Sequence, residues 1–326
     1  MAYSSLLWGL GLVLLLTSAA FNHFLYGRLN VGPESNVLQA LSGYSVLGIT
    51  KVALLQYPFW NHFIQFLLLF GTGLVLQYIS SEFRLIRVRS FFPFFLYCLF
   101  SGTFLPLLSL NGTALSSLLL VVACHRLFSS LENGMENRSV YDASVLLALA
   151  SLLLTKLIWL LPAIWLVMGI LQILNIRSFF ASLLGILTVY WLIAGVSFLM
   201  GDYTYVLAYF KDLMGFDLFN ISAISPTEIT YITFLAVLMI AAIISFWPRQ
   251  HLDKLKTRNY LNSVLLLWLA LLILWFFSSN DESYLLPLIG LSTLVIAHFF
   301  SLVDSHFSRI LFFTLLVLSV VAYLSF

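Results

Sequence analysis

Charge is what this chain has least of. Asp, Glu, Lys and Arg together make up 9% of its 326 residues, against roughly 25% in an ordinary soluble domain. A set that sparse cannot cover a water-facing surface, which excludes a soluble globular protein. Cysteine is almost as scarce. Cys98 and Cys124 both fall within apolar runs and read as small packing residues, not as a disulfide framework or a metal site. A net charge of only +2 leaves no basic surface for nucleic acid. The chain has no Walker loop, GxGxxG turn, HExxH or GxSxG, so no cofactor or metal is expected from a motif. Transporters and lipid-linked sugar transferases stay open, since many have no compact motif.

Apolar residues are abundant, at 62% of the chain with 30 phenylalanines. Apolar runs recur along the whole length, each close to the ~20 residues that cross a ~30 Å hydrocarbon core. A run such as 264–277, VLLLWLALLILWFF, does not alternate as a barrel strand would. The expected fold is therefore all-α: one polytopic transmembrane bundle over 1–326, with about eleven spans and a range of ten to twelve.

The spans are expected at 5–21, 58–80, 91–108, 114–128, 142–160, 163–176, 179–200, 228–247, 264–277, 284–303 and from 310 to the C-terminus. The first ends in Ser18-Ala19-Ala20 but has no Lys or Arg in residues 1–5, so it reads as an uncleaved span without a basic leader. Residues 143–175 as one helix would be ~50 Å long, too long for one crossing, so Pro162 is expected to break them into a hairpin. Two long loops are expected, 22–57 and 201–226. In the first, Val37, Leu38, Leu41, Tyr44 and Leu47 are spaced for a helix lying on the membrane surface, or for a re-entrant segment. The second is dense in Tyr and Phe, which suits the headgroup level.

With the N-terminus in the cytosol, eleven spans gather Arg84, Arg87, Arg89, Arg126, Arg138, Arg177, Arg249, Lys254, Lys256, Arg258 and Arg309 on the cytosolic side. Only Arg28, Lys51 and Lys211 fall outside, and Lys156 sits in a span. The acids divide almost evenly between the two sides, so the bias lies in the positive charges alone, as the positive-inside rule requires.

Within this frame a few residues carry chemistry. Lys156 stands in an apolar run, where a charge costs roughly 2.5–3.5 kcal/mol on insertion scales. It is either a substrate or ion contact facing the bundle interior or a side chain that extends to the interface. Arg126 and Asp142 close the inner ends of neighbouring spans, with Asp142 placed as an N-cap or first-turn acid. The pair is either a structural staple or a substrate-phosphate contact. His125 beside Arg126 is a possible proton acceptor, without a second histidine at metal-ligand spacing. His298 reads as a core or interfacial histidine or a proton relay. Glu34 is the weak candidate for a catalytic carboxylate.

From about 89 to 193, the runs RSFFPFFLYCLF, LLLVVACHRLFSSLE, RSVYDASVLLALASLLL and NIRSFFASLLGILTVYWLI resemble a family of uncharacterised polytopic membrane proteins of Bacteroidota. Arg126-Leu127, Tyr141-Asp142-Ala143-Ser144 and Arg177 stand at the positions of that family's short motifs. Thr155-Lys156 departs from the aromatic or small polar residues expected there. The resemblance covers about a third of the chain. It implies a bacterial inner membrane and supplies no activity.

Two functional classes follow. The first is a binding, transport or accessory role in cell-envelope biogenesis, with the Arg126/Asp142 region as a cytosolic contact. The second is an enzyme resembling in outline the integral-membrane glycosyltransferases that use polyprenyl-phosphate sugars, with Glu34 as its acid. A scaffold for other membrane proteins is a third, plainer role. The partners expected are the lipid bilayer, a lipid-linked or small polar substrate, and other membrane proteins.

Overall fold

The computed structural model describes residues 58–86, 91–103, 112–133, 136–200, 204–215, 226–246, 254–278, 282–302 and single positions between 311 and 317. The first expected span, the segment 22–57 with Glu34, and most of the last span lie outside these residues. The described chain is all-helical. Its α-helices are α1 Pro58–Glu82, α2 Phe92–Thr103, α3 Gly112–Asn133, α4 Glu136–Leu153, α5 Leu161–Ile170, α6 Ile176–Met200, α7 Thr204–Met214, α8 Pro226–Phe246, α9 Leu255–Phe276 and α10 Leu285–Leu302. Four stretches are long and apolar enough to cross a membrane: Phe63–Glu82, Gly112–Leu131, Ile176–Leu199 and Leu255–Phe276.

The helix α10 is the axis of the bundle. Its sequence, LLPLIGLSTLVIAHFFSL, is apolar on every side, and a helix of that kind is stable only when surrounded. It contacts α1, α2, α3, α8 and α9, and almost every position from Tyr284 to Phe299 is buried. Its few hydroxyls turn back on their own helix: Ser292 and Thr293 both donate to the Ile289 carbonyl, at 2.9 and 2.7 Å. That arrangement removes their polarity from the packing surface.

The helices α3 and α4 form a hairpin, and α4 lies between α3 and α6. The polar stretch 129–141, expected as a loop, is largely helical, because α3 continues to Asn133 and α4 begins at Glu136. Asp142 is therefore not a capping residue. It lies six positions inside α4, and Glu136 is the acid of the first turn. At Gly185 the backbones of α4 and α6 touch. A Cβ there would stand 2.8 Å from the Tyr141 carbonyl oxygen and 2.9 Å from Ser144 Cβ, so only glycine admits this approach.

The expected hairpin between α4 and α5 turns in a different place. The break is at Leu154, extended at φ −129 and ψ 94, and is followed by a 3-10 helix over Thr155–Leu160. Pro162 lies in the first turn of α5, where its missing N–H costs nothing because those groups have no intrahelical partner. The chain does return: Asn175, just past α5, donates Nδ2–H to Glu136 Oε2 at the start of α4, at 3.3 Å. The α5 terminus is a left-handed cap at Gln172, φ 60, with Ile173 N–H donating back to Met168 O at 3.0 Å. The 201–226 segment, expected as a loop, contains the helix α7.

Candidate functional site

The most polar feature of the described chain that joins separate elements is the end of α1. After Glu82 the chain closes a left-handed cap in which Leu85 N–H donates to Ser80 O at 3.0 Å, with Arg84 at φ 50. Two histidines from distant parts of the sequence hold this turn on either side. His125 of α3 donates Nε2–H to Glu82 Oε2 at 2.7 Å. His298 of α10 donates Nδ1–H to the Leu85 carbonyl at 2.6 Å, so Nδ1 carries the proton.

Aromatic rings fill the space between. Phe83 lies 5.6 Å from the His125 ring and 5.1 Å from Tyr260 of α9, and Phe246 of α8 meets His298 edge-on at 5.8 Å. Tyr78, one turn before Glu82, covers the other side of His125 at 5.4 Å. His298 is 2% exposed. It borders a small recess with Ser245, Phe246, Leu261, Leu265 and Val295, with room for about one water at most.

The turn thus knits α1, α3, α8, α9 and α10 together and leaves its charged side chains outward. Arg84 and Arg126 are both exposed. Among the described residues no ion pair joins Arg126 to Asp142, and the pair that does form is His125–Glu82. The expected staple is replaced by a pairing one residue earlier in α3, across to α1 and not to α4. Spacing along the chain favours neighbours, and a contact 43 residues away leaves no local signal. The signals that could have found it were the Glu-Phe-Arg ending of an apolar run and the His-Arg pair ending another.

Lys156 belongs to the opposite end. Its side chain is 9% exposed and its Nζ donates to the carbonyl of Phe277, the C-terminal cap residue of α9, at 3.3 Å. Its amine meets the negative end of a helix dipole, at the C-terminal end of an apolar helix long enough to cross a bilayer. Lys156 and His298 therefore do not share a cavity. Phe277 and Leu261 lie at opposite ends of α9, a separation of ~24 Å at 1.5 Å per residue.

Beside Lys156, Ser151, Tyr190 and Tyr209 form a hydroxyl cluster. Tyr190 Oη stands 2.7 Å from both Ser151 Oγ and Tyr209 Oη, and Tyr209 donates to the Ser151 carbonyl at 3.1 Å. This carbonyl is one of the four that α4 leaves without an intrahelical partner where it breaks. Trp159 donates Nε1–H to Leu213 O at 3.2 Å, so α7 is fastened over the break by two contacts. Glu34 lies outside the described residues.

A chain whose described residues are all helical, with four helices among them long and apolar enough to cross a bilayer, charged at the ends of the bundle and apolar between, is a helical membrane protein. Compared with protein-family models, with curated proteins and with solved structures, it gives no match.

Proposed function

We propose that this chain is a multi-pass protein of a bacterial inner membrane, with about eleven crossings and a cytosolic N-terminus, and that it serves a binding, transport or accessory role in building the cell envelope. Its site of action is the cytosolic end of the bundle. The observation that carries the reading is the α1 terminus, where exposed Arg84 and Arg126 flank the Glu82–His125 pair above a closely packed apolar core. The positive-inside rule already places arginines at that level, and two that make no ion pair among the described residues also present a positive field to an anionic partner. The contact expected at Arg126/Asp142 is accordingly moved to Arg84, His125 and Arg126.

Two measurements test it together. Reporter fusions after Ser90 and after Pro248 should both report the cytosol; both reporting the far side would reverse the topology and remove the reading. In cells that depend on the protein, Arg126→Ala should impair function at unchanged membrane abundance, and Asp142→Asn should not. Equal loss of protein and function would reduce Arg126 to a structural role.

A further inference from the structure

The cap that ends α1 has a geometry that favours glycine and holds an arginine instead. At φ 50, Arg84 is in the left-handed region, where a Cβ is strained and where helix caps of this form take glycine by preference. The turn itself is structural, since it lets Leu85 N–H reach Ser80 O and the Leu85 carbonyl reach His298, but glycine would serve it better and the arginine side chain takes no part in it. The Arg84 side chain is exposed, and it makes no ion pair among the described residues. Residues held in sparsely populated backbone regions cluster at functional sites. What the arginine adds to the turn is an exposed guanidinium at a set depth.

That depth is legible. The apolar stretch of α1 ends at Glu82, so Arg84 begins the charged layer at headgroup level. The 2.7 Å contact between His125 and Glu82 brings the last turn of α1 level with the His125–Arg126 step of α3. Arg84 and Arg126 therefore open at the same end of the bundle, where the exposed ring of Tyr78 lies against His125. Even with Glu82 counted at its full charge, the two arginines leave the group net positive. Arg87 and Arg89 follow in sequence.

We infer that Arg84 and Arg126, held level by the Glu82–His125 pair, form a binding site for a terminal phosphate dianion, supplied as the monoester of a lipid headgroup or as free phosphate. A planar guanidinium matches two phosphate oxygens at once, and here one stands two residues from Glu82 and the other next to His125, the two members of the pair that joins α1 to α3. The inference rests on the proposed function only in taking this end of the bundle as the working end.

The test uses the purified full-length chain in detergent, examined by native mass spectrometry with phosphatidic acid, phosphatidylcholine or inorganic phosphate added. Phosphatidic acid should be retained at least ~10-fold over phosphatidylcholine. Inorganic phosphate that displaces the lipid at millimolar concentration would assign recognition to the phosphate alone; failure to displace would assign it to the lipid. Either outcome supports the site, and equal retention of the two lipids overturns it.

Arg84→Gly separates binding from folding. It relieves the backbone, so thermal unfolding should occur at the same or a higher temperature while phosphatidic acid retention falls ~10-fold. Retention unchanged in both Arg84→Gly and Arg126→Ala would also overturn the site. Failure here with cellular Arg126→Ala still impaired would leave the proposed function standing and reject the phosphate. Reversed topology with intact phosphatidic acid selectivity would do the opposite.

Discussion

At the scale of single residues, the ionisable side chains are settled by what lies across the bundle. Lys156 illustrates this. A lysine near the end of an apolar run has two physical options, to stretch toward water or to find a carbonyl, and the break at Leu154 brings it against the α9 cap at Phe277. Lys156→Met should then cost less than about 1.5 kcal/mol, because a buried charge is exchanged for apolar volume of similar shape. Lys156→Glu should cost about 3 kcal/mol or more, since it sets an anion against the negative end of a helix. Denaturant unfolding of the purified protein in detergent measures both. A lysine reaching to the interface would tolerate the two changes alike. The charge itself was plain in the sequence; its acceptor, 121 positions later, was not.

At the scale of elements, the apolar runs of α1, α6 and α10 mark helices whose limits in the structure agree with the sequence to within a few residues. The errors fall where polarity was read as loop. The stretches 129–141 and 201–226 carry charged and aromatic residues, but helices take these readily at the ends of a bundle, where side chains meet headgroups while the backbone bonds internally. Pro162 was also misleading, since a proline in the first turn starts a helix as readily as one further along stops it. Helix-to-helix distance was not visible either, and Gly185 is its clearest case. Gly185→Ala should destabilise by about 2–3 kcal/mol, because the Tyr141 carbonyl in its way is backbone and cannot yield. Gly290→Ala, whose nearest neighbours are side-chain atoms at 3.5 and 3.6 Å, should be neutral or gain up to ~1 kcal/mol of helix propensity. Paired thermal melts of the two variants decide this, and a Gly185→Ala melt like the wild type would contradict the α4–α6 contact.

At the scale of the whole molecule, one core runs through α1 to α5 and α8 to α10, and both cysteines lie in it, Cys98 fully buried and Cys124 at 2% exposure. A small membrane-permeant maleimide should therefore label neither thiol in the folded protein and both after unfolding in dodecyl sulfate, followed by intact mass. Rapid labelling of the folded chain would contradict the packing around α10.

Composition and run length alone determined that this protein resides in lipid as helices, because a chain with 9% charged residues has no other way to satisfy its backbone and hide its apolar surface. They also located the polar residues that interrupt those helices: Arg126, Asp142, Lys156 and His298. Only the tertiary structure decided which of them meet. His125 bonds Glu82 across 43 positions and His298 bonds Leu85 across 213, separations over which one-dimensional spacing carries no information. Helix packing selects such partners through close approaches like that at Gly185, and through backbone turns like that at Arg84, whose geometry is set by the cap and not by residue type.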